Sequence, residues 1–302
     1  MREAEMIDFF ESRGVVLFDA AMGTALMDAG QPPGTGSEGM NLSAPGTVLR
    51  IHSENIDAGC DVLTSNTFGV TQLMMRGEKE KALSALETAV GLAKQAAESG
   101  GANGKKILAC LCVGPTGSLL GPLGGVSYEA AEAVFESQAE AGARCGADFV
   151  LLETFADIEE LVRAARAAHA VSGLPVLGTM TFGAGGRSYM GASPADFVRA
   201  ARACGLSAVG ANCSLGPFEM APVIEELIEA ADGIPVIAQP NAGSPLYRDG
   251  RTVYEMTPED FSAGAERLLT LGISAIGGCC GTTPAMISAV RGMIDKRRER
   301  NE

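Results

Sequence analysis

Tryptophan is absent from the chain, and its 302 residues include only 4 tyrosines and 2 histidines. With aromatics at 5%, the chain lacks the stacking rings of a sugar-binding platform, and paired carboxylates alone do not make a glycosidase. The two histidines, His52 and His169, fall in helical patterns away from strand ends, so any metal must be held without imidazole. Bases are also in deficit: 23 Lys and Arg against 37 Asp and Glu give a formal net charge of −14. That balance excludes an electrostatic footprint for nucleic acid or an anionic membrane. No run approaches the ~18 apolar residues of a transmembrane helix. The opening MREAEMIDFFES carries acids where a secretory signal carries bases, so the expected location is the cytoplasm. No C-x₂-C spacing occurs, which excludes a zinc finger. Eight cysteines in a chain of this length fall below the density of a disulfide scaffold. In a reducing compartment they are free thiols or metal ligands. Linkers and low-complexity segments are missing as well.

What is present is a repeating pattern in a chain that is 46% apolar and rich in glycine, with 39 residues. Short β-rich apolar runs occur at 15–20, 61–67, 107–114, 148–155, 175–182, 208–214, 235–241 and 273–280. Several are almost continuously apolar, as parallel strands covered on both faces are. Amphipathic, Ala/Glu-rich stretches lie between them, at 78–98, 128–145, 157–171, 217–231 and 258–271, and another helix starts near Pro284. Pro217 and Pro284 suit the first helical position. The Gly/Pro-rich stretch 30–40 reads as a loop after the first strand. Eight strands each followed by a helix predict an α/β fold, a single-domain (β/α)₈ TIM barrel over 1–302. An open doubly wound sheet is the weaker alternative, because no Gly-rich dinucleotide turn follows the first run.

Polar residues cluster at the ends of the runs: Asp19, Asn66, Thr67, Glu153, Asn212, Cys213, Asn241, Cys279 and Cys280. In a barrel these strand ends converge on the face that holds the active site. Cys279 and Cys280 are adjacent in GGCCGTT. Neighbouring side chains of a regular strand point to opposite faces, so both can meet one metal only on irregular backbone, which Gly277, Gly278 and Gly281 permit. With Cys213 of GANCSLG they make a soft three-thiolate set suited to Zn²⁺ with one coordination position open, the mark of a catalytic zinc. The helix starting near Pro284 directs its positive end at these thiols and favours thiolate. Cys60, Cys145 and Cys204, near helix C-termini, and Cys110 and Cys112, inside the third strand, read as packing residues. Glu153 and Asp19 are acids able to hold an ammonium group, or to pair within the barrel.

These stretches also carry a resemblance. FDAAMGTALM (18–27), LTSNTFG (63–69), VGPTGSLLGPLG (113–124), LLETFAD (151–157), GRSYMGASPADF (186–197), GANCSLGP (210–217), QPNAGSP (239–245) and GGCCGTTP (277–284) together resemble the homocysteine S-methyltransferase family. The likeness is greatest to the homocysteine-binding barrel of cobalamin-dependent methionine synthases. It implies a (β/α)₈ barrel whose zinc is held by Cys213, Cys279 and Cys280, with homocysteine bound to the metal through sulfur and converted to methionine. It also implies that the amino-acid end is held by Glu153, Asp19 and backbone around Thr67, with Ala20 and Asn66 alongside, and that Asn241 lies by the metal. One departure stands out: the family usually reads DGAMGT where this chain reads Asp19-Ala20-Ala21-Met22-Gly23-Thr24, adding a methyl group where backbone approaches the substrate.

A free thiol with a pKa near ~8.5 is mostly protonated at neutral pH, and coordination removes the proton. No D-x-H-x-x-G cobalamin motif occurs, since Arg50 and Ala167 stand where the aspartates would. The donor is therefore expected from outside the chain: a methyl-corrinoid protein, S-methylmethionine, or betaine, which ranks last because a quaternary ammonium calls for an aromatic cage. The other readings are a different thiol or selenol acceptor in the same barrel, and a non-catalytic homocysteine- or zinc-binding subunit of a larger methyltransferase system.

Overall fold

The computed structural model describes residues 1–32, 35–100, 105–122, 124–248 and 250–300. Ten strands are present among them: β1 (Val16–Leu17), β2 (Val62–Thr64), β3 (Leu108–Val113), β4 (Val150–Phe155), β5 (Val176–Met180), β6 (Ala208–Asn212), β7 (Val236–Gln239), β8 (Leu246–Arg248), β9 (Arg251–Val253) and β10 (Ala275–Ile276). All but β8 and β9 form one parallel sheet in the order β1-β10-β7-β6-β5-β4-β3-β2. A lone parallel bridge between Phe18 and Val62 brings the two edges together. The result is the (β/α)₈ barrel expected from the alternation of runs.

The strands are shorter than the apolar runs. Ladder pairing ends early, and the rest of each run continues as loop at the barrel mouth: 273–280 contains only Ala275–Ile276 as strand. The β8–β9 hairpin was not foreseen; it is an antiparallel excursion between β7 and the next helix.

The helices match their sequence signals closely. Among the described residues they are α1 (Glu3–Arg13), α2 (Met22–Asp28), α3 (Met40–Ser43), α4 (Pro45–Asp57), α5 (Val70–Met75), α6 (Lys79–Gly100), α7 (Tyr128–Arg144), α8 (Ile158–Ser172), α9 (Pro194–Cys204), α10 (Pro217–Ala231), α11 (Pro258–Leu271) and α12 (Pro284–Glu299). Proline begins α9, α10, α11 and α12, where its missing N–H costs nothing. Ser127, Asp157, Ser193, Thr257 and Thr283 accept a backbone N–H at N-termini, a contribution of about 1 kcal/mol each. The stretch 30–40 is only partly loop: α2 precedes it, and a 3₁₀ turn at Ser37–Gly39 and the start of α3 fall within it; residues 33–34 lie outside the described residues.

Two apolar layers result. Strand residues facing outward pack with the helices in one large core. Residues facing inward, among them Phe18, Leu108, Cys110, Phe149, Leu151, Leu177 and Ile237, fill the barrel's interior together with Met6, Phe9 and Phe10 of α1. Helix α1 therefore plugs the N-terminal end, leaving the mouth at the strand C-termini as the open end.

Candidate metal centre and amino-acid pocket

Each cysteine of the triple sits where the chain leaves its strand. Cys213 directly follows β6, and it and Ser214 both have left-handed backbone, at φ 61° and 58°. For non-glycine residues this costs about 1–2 kcal/mol each. The surroundings hold the kink: the Cys213 N–H donates to the Gln239 carbonyl at 3.1 Å and Leu215 N–H to the Cys213 carbonyl at 2.7 Å. The Ser214 and Thr181 hydroxyls lie 2.7 Å apart.

After β10, the Gly278 N–H donates to the Asp19 carbonyl and Cys279 N–H to the Pro240 carbonyl. Thr282 turns its hydroxyl back to the Cys279 carbonyl at 2.7 Å. Gly281 has φ 79°, and a Cβ there would come within 2.1 Å of the Tyr254 ring. The expected irregular backbone is present, so both adjacent thiols face the same side.

The three sulfurs lie within 4.8 Å of one another, with Cys213 and Cys280 3.8 Å apart. Four zinc–sulfur bonds of ~2.3 Å in a tetrahedron put the sulfurs about 3.8 Å apart, so the spacing suits the ion. The Asn241 side chain lies beside Cys213, and its carbonyl oxygen is buried without a hydrogen-bond partner. An unsatisfied acceptor beside three thiols is a group that a cation would satisfy. In the protein alone, the neighbouring Cys279 and Cys280 thiols pull Cys213 down to about 3. The contact with Cys213 pushes Cys280 up to about 11.

Beside the thiols lies a cavity of about 350 Å³ lined by Asp19, Ala20, Asn66, Thr67, Glu153 and the three cysteines, among others. Its described lining contains no lysine, arginine or histidine, and Phe68 is its only aromatic ring. Asp19 is 3% exposed. Burial, opposed by the Thr64 N–H that donates to it at 2.9 Å, raises its pKa to about 7. Burial likewise raises Glu153. Glu153 lies in an irregular stretch of β4, just before Thr154 at φ 60°, where the pairing to β5 shifts register between Leu152 and Phe155.

The structure refines the roles of the remaining candidates. Asn66 donates its amide N–H groups to the Ser37 carbonyl and the Asn41 side chain, both at 2.8 Å. The Thr67 hydroxyl donates to the Cys112 carbonyl at 2.6 Å. These two side chains are therefore committed to partners within the wall of the cavity. The Ala20 N–H is spent on Asn55 at 2.8 Å.

Cys112 corrects the expectation that it only packs. It lines the cavity and its thiol donates to Glu153 Oε2 at 3.0 Å. Strand alternation puts Cys110 and Cys112 on the same inward face, but Cys112 sits one step nearer the mouth. Asn212, noted as a strand-end residue without a role, donates to Glu153 Oε1 at 3.2 Å. His52 is fully buried with neither ring nitrogen partnered, and burial lowers it to about 4; it is a neutral packing residue of α4.

Residues 16–294 match the family model described as homocysteine S-methyltransferase. The chain is similar to a protein named methionine synthase from Mycobacterium tuberculosis (strain ATCC 25618 / H37Rv), 32% identical over 317 residues, covering 99% of this chain and 26% of that protein. Another methionine synthase, from Mycobacterium leprae (strain TN), is 30% identical over 294 residues, covering 93% of this chain and 24% of that protein. The chain thus spans about a quarter of the length of these curated relatives. Among solved structures, the metallated form of the homocysteine methyltransferase MmuM from Escherichia coli superposes with a TM-score of 0.80 at 20% identity, covering 95% of this chain and 98% of that one. Its apo form gives a TM-score of 0.74 at 22% identity, covering 92% and 95%. At those identities the likeness to solved structures bears on the fold.

Proposed function

The chain belongs to the homocysteine S-methyltransferase family, and from that premise we propose that it methylates homocysteine to methionine, using zinc held by Cys213, Cys279 and Cys280. The observation that carries this reading is the meeting of three thiols, the buried Asp19 carboxyl and the half-buried Glu153 carboxyl in one cavity at the barrel mouth. We take residues 1–302 as one homocysteine-binding (β/α)₈ barrel domain.

Bound there, zinc would supply a Lewis acid that keeps a substrate thiol deprotonated at neutral pH. The protein's own residues bind and orient. Glu153 receives the substrate ammonium, with Asp19 as its neighbour, and the arriving positive charge draws both carboxyls back toward ionisation. Backbone around Ala20, Asn66 and Thr67 borders the carboxylate end. Asn241 stands beside the metal position. Fixing the amino-acid end while the sulfur faces the mouth aligns the acceptor for in-line transfer.

The methyl donor in this reading is a separate methyl-corrinoid protein, supported by the similarity to methionine synthases. A cavity with acids and no cation also suits a sulfonium donor such as S-methylmethionine, which is the second reading. Betaine fits less well, because Phe68 alone cannot cage a quaternary ammonium. Methionine formation from homocysteine with each donor in turn decides. Fast turnover of a methylated corrinoid protein and slow turnover of free methylcobalamin are expected. Turnover with S-methylmethionine and with no methyl-corrinoid would select the second reading. No methionine from any donor would leave a binding subunit.

A further inference from the structure

Asn212 ends β6 and is wholly buried, so its amide must find every partner inside the protein. Its carbonyl oxygen accepts from Thr154 N–H at 2.9 Å and from the Thr179 hydroxyl at 2.8 Å. Its amide nitrogen faces three acceptors: Thr154 Oγ1 at 2.6 Å, Glu153 Oε1 at 3.2 Å and Cys279 Sγ at 3.8 Å. The nitrogen carries only two protons. Thr154, the nearest, takes one. The second is left between a carboxylate and a sulfur.

We infer that Asn212 shares this proton between the Glu153 carboxylate and the Cys279 sulfur, and thereby couples the ammonium subsite to the electron density of the metal-holding thiolate. The inference rests on the metal reading above and adds a positioning residue to it. A hydrogen bond strengthens toward whichever acceptor carries more charge. When a substrate ammonium neutralises Glu153, the N–H leans toward Cys279 and withdraws charge from that sulfur. When Glu153 stands alone, the N–H leans back. Cys112 enters the same balance from the far side. Its thiol donates to the other oxygen of Glu153 at 3.0 Å, lowering the demand that this carboxylate places on Asn212. Donors to metal-site ligands tune the metal in this way in general.

The test replaces zinc with cobalt(II) in the full chain and reads the sulfur-to-cobalt charge-transfer band without substrate. Glu153→Gln removes the carboxylate charge, so the N–H moves to sulfur and the band shifts to higher energy. Cys112→Ala keeps that charge but removes the competing donor, so the N–H moves to the carboxylate and the band shifts to lower energy. Through-space electrostatics would move the band in the same two senses, so the Asn212 variant is what separates it from sharing through the amide. In an Asn212→Asp background both shifts should vanish; shifts that persist there overturn the sharing. If Asn212→Asp does not fold, Asn212→Leu, which also lacks the amide N–H, takes its place in the same comparison. A wild-type chain that takes up no cobalt overturns the metal reading and the inference with it. A cobalt-loaded wild type whose variants show anything other than opposite shifts overturns the proton sharing alone.

Discussion

Asp19 is a buried carboxyl held at a cost to stability. Its carboxyl is raised from 3.8 to about 7 by burial, so the folded protein binds a proton that the unfolded chain releases. The sign follows from linkage: the group is neutral in both states below pH 3.8, and stability is lost as pH rises from there through about 7. A shift of this size corresponds to about 4 kcal/mol at pH 8. Asp19→Asn keeps an oxygen to accept the Thr64 N–H but never ionises. The metal-free variant should therefore unfold at higher urea than wild type at pH 8, with the gap closing toward pH 4. A gap that does not change with pH would remove burial as the cause.

Glu153→Gln is expected to weaken homocysteine binding by roughly 10- to 100-fold, the worth of one charge-assisted hydrogen bond, while stoichiometric zinc remains bound. Calorimetric titration showing unchanged affinity would end its role at the ammonium. Cys213→Ala and Cys279→Ala should each lose both zinc and methyl transfer, and a variant keeping one zinc per chain by metal analysis would remove that sulfur from the site.

At the scale of elements, the chain spends strain at its turns. Asp232 closes α10 with φ 41°, a conformation that favours glycine. Its carboxylate pairs with Arg202 at 3.4 Å, but that side chain is 90% exposed, so the pair contributes little. Arg202 also donates to the backbone carbonyls of Ala231 and Asp232, which a substitution would leave in place. Asp232→Gly should raise stability by about 0.5–1 kcal/mol, measured by chemical denaturation. A loss would mean that the exposed pair outweighs the strain.

The same elements show what a sequence displays. Helix α10 was legible to the residue, 217–231, because Pro217 opens it, and α7 was legible to within one. The strands were legible as apolar runs but not by length, because apolar side chains continue past the last ladder bond into the mouth loops. The meeting of Cys213, Cys279 and Cys280 was legible from the glycines around the adjacent pair. The parts that stayed hidden depend on depth and partners, which periodicity does not carry. Alternation pairs Cys110 with Cys112 but does not say that only the second reaches the cavity. Asn212 read as a strand-end amide, while its five contacts come from β4, β5 and the loop after β10. The β8–β9 hairpin had a signal, Asp249-Gly250 between two β-prone triplets, that the regular alternation of the barrel obscured.

At the scale of the whole molecule, the barrel has a weak seam. Between β1 and β2 the ladder is a single bridge, and Asp61 supplies what is missing. Its N–H donates to the Leu17 carbonyl at 2.6 Å, while its carboxylate accepts the Leu17 N–H at 2.9 Å. The side chain thus replaces a backbone acceptor across the closure. Fully buried, it is compensated by three cations: Arg291 from α12 at 2.5 Å, Lys105 from the approach to β3 at 3.1 Å, and Arg13 from the end of α1 at 3.8 Å. One carboxylate therefore ties both terminal helices to the seam. Removing it leaves the Leu17 N–H without an acceptor and three cations without their anion. Breaking a buried pair from one side costs about 3–5 kcal/mol, so Asp61→Ala should lose at least that much in denaturant unfolding. Asp61→Asn restores an acceptor for Leu17 but not the charge, and should fall between wild type and the alanine variant. Asp61 lies at the start of β2, at the barrel end away from the thiols. The folded fraction of either variant should therefore still bind one zinc per chain. Loss of zinc in protein that remains folded would show that the seam also holds the mouth in shape, and an alanine variant as stable as wild type would show that the single bridge closes the barrel unaided.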